Sequence, residues 1–216
     1  MKTLFIDSSR KSLSIALANE NKLLFVSNVN SYSKHSNYLM SEIQNIISNS
    51  NLTINDIDNI VVLNGPGSFT GIRVGVTIAK TLAWALNKKL YQINNLIALK
   101  TGNYNDVVIS VIPDKSSHSY VGIYENGNKV EQYLSIDSDL LNMVKKNITI
   151  VCMEQNDFIS ELKIKLEENN SVKFCLLEDY NYLEIINLAL QEESINPHLA
   201  EPIYLKKIDI EKKNGN

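Results

Sequence analysis

The residues whose types and spacing could do chemistry lie first in Gly65-Pro66-Gly67-Ser68-Phe69-Thr70-Gly71-Ile72-Arg73-Val74-Gly75, which joins an apolar strand, Ile60 to Leu63, to a helix. Glycines there permit positive φ and a close backbone approach. Ser68 or Thr70 can cap the helix, and the amides of a helix start can hold an anion. The loop is not a Walker A sequence, because no Gly-Lys-Ser/Thr follows at the required spacing. It is not a dinucleotide fingerprint, since Thr70 stands where the third glycine belongs, and it lacks the Gly-x-Ser-x-Gly of a nucleophile elbow.

A second candidate is Asp7 with Ser8 and Ser9, at the end of the apolar strand Leu4 to Ile6. Ligands of open α/β sheets bind outside the carboxyl ends of the strands. An aspartate there can hold hydrated magnesium, and the serine hydroxyls can meet a phosphate. The alternative is ordinary turn chemistry. Asp114, between Pro113 and Lys115, is the candidate counterpart in the second half.

The other chemistry-bearing residues are scattered. The histidines are His35, His118 and His198, and Leu39 stands four residues after His35, so there is no His-x-x-x-His metal pair. No catalytic triad and no distinguished carboxylate pair can be read off. Cys152 and Cys175 each sit in an apolar strand-like run, which predicts buried free thiols and neither a disulfide nor a metal pair.

The elements that must position these residues follow from hydrophobic spacing. Leu4 to Ile6, the alternating Ser12 to Leu17, and Leu23 to Val29 predict a three-stranded meander turning at Asn19-Glu20-Asn21. A helix is expected from Ser36, with Leu39, Ile43, Ile46 and Ile47 on one face. After Gly102 the order begins again: a strand at Val107 to Ile112, then a hairpin of Tyr120 to Tyr124 and Lys129 to Leu134 around Asn126-Gly127, a type I′ signal. Helical pattern at Leu140 to Val144, a strand at Ile148 to Cys152, a helix with Phe158, Ile159, Leu162 and Leu166, a strand at Val172 to Leu177 and a helix at Tyr182 to Leu190 complete it. A strand, hairpin, helix, strand, helix order met twice predicts a duplicated α/β fold. The end, Pro202-Ile203-Tyr204-Leu205-Lys206-Lys207, reads as an extended segment with an aromatic anchor, and the lysine-rich Lys212 to Asn216 as a frayed tail.

The helix after the glycine loop carries Gly71, Gly75, Ala79 and Ala83 every four residues, among Ile72, Val74, Val76, Ile78, Leu82, Trp84 and Leu86. Only Arg73 and Lys80 are charged before Asn87. A helix so apolar must be covered on more than one face, either by its own core or by another subunit. Each helical glycine costs about 1 kcal/mol relative to alanine, and a close contact with a second helix is a reason to tolerate that. The expected subunit interface is therefore Gly71, Ile72, Gly75, Val76, Ala79, Lys80 and Ala83.

Composition narrows the classes. With 216 residues and 44% hydrophobic content, the chain can build one large domain or two small ones. A net charge of −3 argues against a chain that grips nucleic acid by itself, since phosphate contacts supply most of that affinity. The opening apolar run is too short for a signal peptide, and no stretch is long and charge-free enough to span a membrane. The expected location is cytoplasmic.

The run Gly65 to Gly75 resembles the signature of the TsaB (YeaZ) family. Ile6-Asp7-Ser8-Ser9 is similar to that family's opening Asp-Thr-Ser turn, with Ser8 replacing threonine. His35-Ser36 before a helix, Pro113-Asp114, and Pro202-Ile203-Tyr204-Leu205 also fit, so the resemblance covers essentially the whole chain. It implies an actin/Hsp70/sugar-kinase-like fold of two related lobes, residues 1–104 and the more divergent 105–216. It implies a scaffold without catalytic residues or metal, paired with a paralogue, TsaD, that carries a metal-binding His-x-x-x-His. TsaD transfers a threonylcarbamoyl group from its adenylate to N6 of adenosine 37 in tRNAs reading codons that begin with A. The ATPase TsaE joins the pair, tRNA is met only through the complex, and the family also forms homodimers through the first lobe. No cofactor is expected to bind tightly, with ATP or ADP and magnesium as candidates at the partner interface. The alternatives are a small-molecule kinase-like ATPase of the same superfold using Asp7 and Asp114, a metalloprotease, against which the lone histidines count, and a purely structural homodimer.

Overall fold

The computed structural model describes residues 1–30, 35–102, 104, 107–115, 117–142 and 147–206. Val144, Ser116 and the chain from Lys207 onward, which includes the lysine-rich tail, lie outside the described residues. The structure resolves into two units, Met1–Asn103 with Leu177–Ile203, and Tyr104–Leu176 with Tyr204–Asn216.

The first unit is built on β1 (Lys2–Asp7), β2 (Ser12–Asn19), β3 (Lys22–Asn30), β4 (Asn59–Leu63) and β5 (Lys89–Ile93), in the order β3-β2-β1-β4-β5. β1 runs antiparallel to β2 and parallel to β4. Because strand side chains alternate between faces, Leu4 and Ile6 point one way and Phe5 the other. On the Leu4 side, α1 (His35–Asn49) and α2 (Phe69–Ala85) pack their apolar stripes onto the sheet. Leu39, Ile43, Ile46 and Ile47 of α1 join Ile72, Val76, Ala79 and Ala83 of α2 in one core with Leu13, Ile15, Ile60 and Val62. On the Phe5 side the chain returns late in the sequence. Phe5 meets the rings of Tyr180 and Tyr182 edge-on, with centroids 6.0 and 5.4 Å away. Burial on both faces explains why β1 and β4 read as continuous apolar runs.

The returning helix is α6. A short helix, α3 (Asn95–Leu99), follows β5, and the second unit supplies α4 (Asp139–Asn142) and α5 (Asp157–Glu167) before α6 (Tyr182–Gln191). The sequence order put α6 with the second lobe; residues 177–203 belong instead to the first unit. The cause is its buried face, Tyr182, Ile185, Ile186 and Ala189, which needs the Phe5 side of the first sheet.

The second unit holds β6 (Val107–Lys115), β7 (His118–Glu125), β8 (Asn128–Ser135), β9 (Ile148–Cys152) and β10 (Val172–Leu176), in the order β10-β9-β6-β7-β8. Read from its hairpin edge, that order is the first sheet's order repeated, with β6, β7 and β8 antiparallel and β6, β9 and β10 parallel. The chain is thus the duplicated α/β fold that the repeated element order predicts. Asn126 and Gly127 both have positive φ, 48° and 83°, as a type I′ turn requires. Phe158, Ile159, Leu162 and Leu166 of α5 fill the core against Ile109, Val111, Ile148 and Ile150. Cys152 is buried in β9, where burial pushes its thiol up to about 12, and Cys175 in β10 is half-buried; both are free. Tyr204 is 43% exposed, and Lys206 in the same segment makes a 2.9 Å ion pair to Asp114. Among the described residues, no helix is long and apolar enough to cross a membrane.

Candidate functional site

The Gly65–Gly75 loop, the turn after β1 and the start of α3 meet at the carboxyl ends of β1, β4 and β5. Asp7, Ser8 and Ser9 are all buried there. The Asp7 carboxylate accepts hydrogen bonds from the Ser9 amide (2.8 Å), the Ser9 hydroxyl (2.6 Å), Arg10 Nε (3.1 Å) and the Tyr180 hydroxyl (3.1 Å). Arg10 also donates to Ser14 Oγ at 2.9 Å, and its guanidinium lies 4.4 Å from the centre of the Tyr180 ring. Burial works against the charge of Arg10, but Tyr180 and Asp7 outweigh it and hold its pKa above the ordinary arginine value. Burial, reinforced by Asp7, pushes the Tyr180 phenol well above the usual range, so it stays a donor. Asn95 ties the ring together, donating to Ser9 Oγ and accepting from the Gly65 amide at 2.8 Å.

The glycine loop serves the same turn. Ser68 caps α2 by accepting from the Gly71 amide, and the Ser68 amide donates to the Ser9 carbonyl at 2.8 Å. Gly67, with φ of 155°, comes so close that a Cβ would sit 2.8 Å from that carbonyl oxygen. The close backbone approach that the glycines permit is therefore made to the Ser8–Ser9 turn of the same chain. Ser8 Oγ donates to the Gly71 carbonyl at 2.8 Å. An ideal Cβ on Gly71 would overlap the Ser8 carbonyl oxygen, and one on Gly75 would overlap Ser8 Oγ.

This geometry corrects two expectations. Gly71, Ile72, Gly75, Val76, Ala79 and Ala83 face the core of their own unit and not the outside. The small side chains let α2 lie against the β1 turn and β4, which is the inward alternative for the stripe. Lys80 is half-buried and donates to the carbonyls of Ala200 (3.2 Å) and His198 (3.5 Å), pinning the segment after α6. Second, Asp7, Ser8 and Ser9 do not fit a hydrated magnesium or a phosphate, because their oxygens are turned into bonds within the fold.

Sequence reasoning missed Arg10, Asn95 and Tyr180. Arg10, three residues after Asp7, carried a local signal; Tyr180 carried none, being 173 residues from its partner. Pro66, Ser68, Thr70 and Arg73 complete the signature loop, with Pro66 buried and Thr70 and Arg73 exposed.

What α2 presents outward is a different set: Phe69, Thr70, Arg73, Thr77, Thr81, Trp84 and Ala85. The Arg73 guanidinium stacks 3.8 Å from the centre of the exposed Phe69 ring. Trp84 is 64% exposed, with His198 edge-on at 5.9 Å and the exposed Leu199 after it. Among the described residues, no group of three His, Cys, Asp or Glu side chains is placed to hold a metal.

Residues 29–171 match the family model described as TsaD, tRNA N6-adenosine threonylcarbamoyltransferase. The chain belongs to the TsaD family. Within it, the full-length likeness is to TsaB. The chain is 28% identical to the tRNA threonylcarbamoyladenosine biosynthesis protein TsaB of Bacillus subtilis (strain 168), across 99% of this chain and 97% of that one. The likeness to a TsaD is local: 40% identity to the tRNA N6-adenosine threonylcarbamoyltransferase of Bifidobacterium adolescentis covers 29% of this chain and 18% of that one. A solved structure titled as an uncharacterized protein with similarity to peptidase YEAZ, from Pseudomonas aeruginosa, superposes with a TM-score of 0.73 at 18% identity, covering 95% of this chain and 99% of the other. A second, YeaZ from the same organism, gives 0.69 at 16% identity over 94% and 99% of the two chains. These two structures share the fold.

Proposed function

We propose that this chain is the scaffold subunit that activates TsaD in threonylcarbamoyl transfer to adenosine 37 of tRNA, and is not itself the transferase. The observation that carries this reading is the likeness to a TsaB over nearly the full length of both chains. The local likeness to TsaD enzymes is what a diverged paralogue of the catalytic subunit retains. A scaffold activates an enzyme only by binding its competent state more tightly than its idle state.

The docking surface is the outward side of α2 beside α1. It combines exposed aromatic rings with one arginine and uncharged threonines, the composition of an interface core. Trp84, Phe69 and Arg73 are its anchors, in place of the inward Gly71 to Ala83 stripe. The same surface serves a homodimer when TsaD is absent, TsaE joins the assembled pair, and the chain meets tRNA only within that cytoplasmic complex.

The test is reconstitution of the modification with the matching TsaD, TsaE and the adenylate-forming enzyme, with this chain added or omitted. Modified adenosine should appear only when it is added, and the chain alone should form none. Equal yields with and without it would defeat the scaffold reading.

A further inference from the structure

The β1 turn holds a cation of its own. We infer that Arg10 occupies the position a divalent ion would take against Asp7, so that the strand ends of the first unit form a closed joint for the returning chain and not a magnesium or nucleotide site. Three observations support this independently of any relative.

The first is saturation of the carboxylate. Asp7 is 0% exposed and accepts from Ser9 twice, from Arg10 and from Tyr180, so its oxygens are supplied with donors from within the chain. A hydrated ion needs first-sphere oxygens and room for its waters. Here the surroundings are the Ser9 hydroxyl, a guanidinium and a tyrosine ring.

The second is the quality of the internal cation. Arginine's planar fork is suited to hold a carboxylate and an aromatic face at once. Arg10 does both, at 3.1 Å from Asp7 Oδ2 and 4.4 Å from the Tyr180 centroid, and adds Ser14 Oγ at 2.9 Å. Its side chain is only 17% exposed.

The third is what the joint fastens. Asp179 accepts from Asn28 Nδ2 (2.8 Å) and from the Tyr182 hydroxyl (2.6 Å), so Asp179, Tyr180 and Tyr182 together dock the return segment on β1 and β3. A site that had to open for a ligand would have to release that segment.

Manganese titration followed by the paramagnetic resonance of the free ion tests this, with Mn2+ as the probe. The wild-type chain should show no Mn2+ binding that depends on Asp7. Arg10→Ala should gain such binding, and the double variant with Asp7→Asn should lose it again. Arg10→Gln, which keeps the stem over Tyr180 but not the charge, gives the same reading if the alanine variant does not fold. Asp7-dependent binding in the wild type would overturn the inference. So would a cooperatively folded Arg10→Gln chain as indifferent to Mn2+ as the wild type.

Discussion

The carbonyl oxygen of Ser8 lies where a side chain on Gly71 would begin. One turn later Gly75 stands in the same relation to the Ser8 hydroxyl. The two glycines of α2 are therefore fixed by the turn after β1, and that relationship turns the small-residue stripe into the core of its own unit.

Gly71→Ala should cost about 1–3 kcal/mol of stability, the usual range for forcing extra volume into a packed core. Gly75→Leu should cost more and should lower the amount of folded protein. Chemical denaturation of each variant measures this. Full stability in Gly75→Leu together with lost partner binding would return the glycine stripe to the subunit interface.

Trp84→Ala should behave in the opposite way. Its ring is mostly exposed, so stability should change by no more than about 0.5 kcal/mol. An aromatic anchor at the centre of an interface is worth about 2 kcal/mol or more, which is a loss of roughly thirtyfold in affinity for TsaD. Calorimetric titration with the matching TsaD separates the two quantities, and undiminished affinity would remove Trp84 from the contact.

Asp7→Asn removes one partner of a buried ion pair and leaves Arg10 without its counter-charge. The expected loss is about 3–5 kcal/mol. The denaturation midpoint should fall accordingly, and proteolysis should reach the Asp179 to Tyr182 segment. A midpoint within about 1 kcal/mol of wild type would mean that the ion pair contributes little net stability.

The pair Asp114–Lys206 predicts a pH response at the end of the second unit. Burial would raise the Asp114 pKa, but the Tyr133 hydroxyl and Lys206 outweigh it and hold the carboxyl below its ordinary 3.8. A depressed folded-state pKa gives stability that is present above the unfolded value and is lost as pH falls through the folded one. Lys115 beside it and the His118 ring stacked on Tyr133 at 5.3 Å complete the surroundings. The contribution of the Asp114–Lys206 pair to stability, followed by denaturation at a series of pH values, should be unchanged around neutrality and should fall only below the ordinary carboxylate range. Asp114→Asn should lack that contribution already at neutral pH.

Much of the architecture was legible because its signals are local. The alternation of Ser12 to Leu17, the spacing of Leu39, Ile43 and Ile46, and Asn126-Gly127 each specify an element without reference to the rest of the chain. β5 was missed because Lys89 to Ile93 is only five residues long and follows directly on an apolar helix. It becomes a strand by pairing with β4, a tertiary decision. The same limit explains the site. Periodicity shows that Gly71, Gly75, Ala79 and Ala83 share a face, but not what lies against that face. That depends on Ser8, 63 residues earlier than Gly71. Asp7 likewise reads as a ligand-binding acid until Tyr180, from the far end of the chain, is found on it.

The most direct test of the account is a titration of this chain into the TsaD reaction at fixed TsaD, with TsaE, the adenylate-forming enzyme and tRNA present, reading threonylcarbamoyladenosine as a released nucleoside. Product should rise with added chain and level off at one chain per TsaD, and Trp84→Ala should shift the rise to higher concentration without lowering the plateau. Product formation at full rate before any chain is added would contradict the proposal that TsaD needs this scaffold.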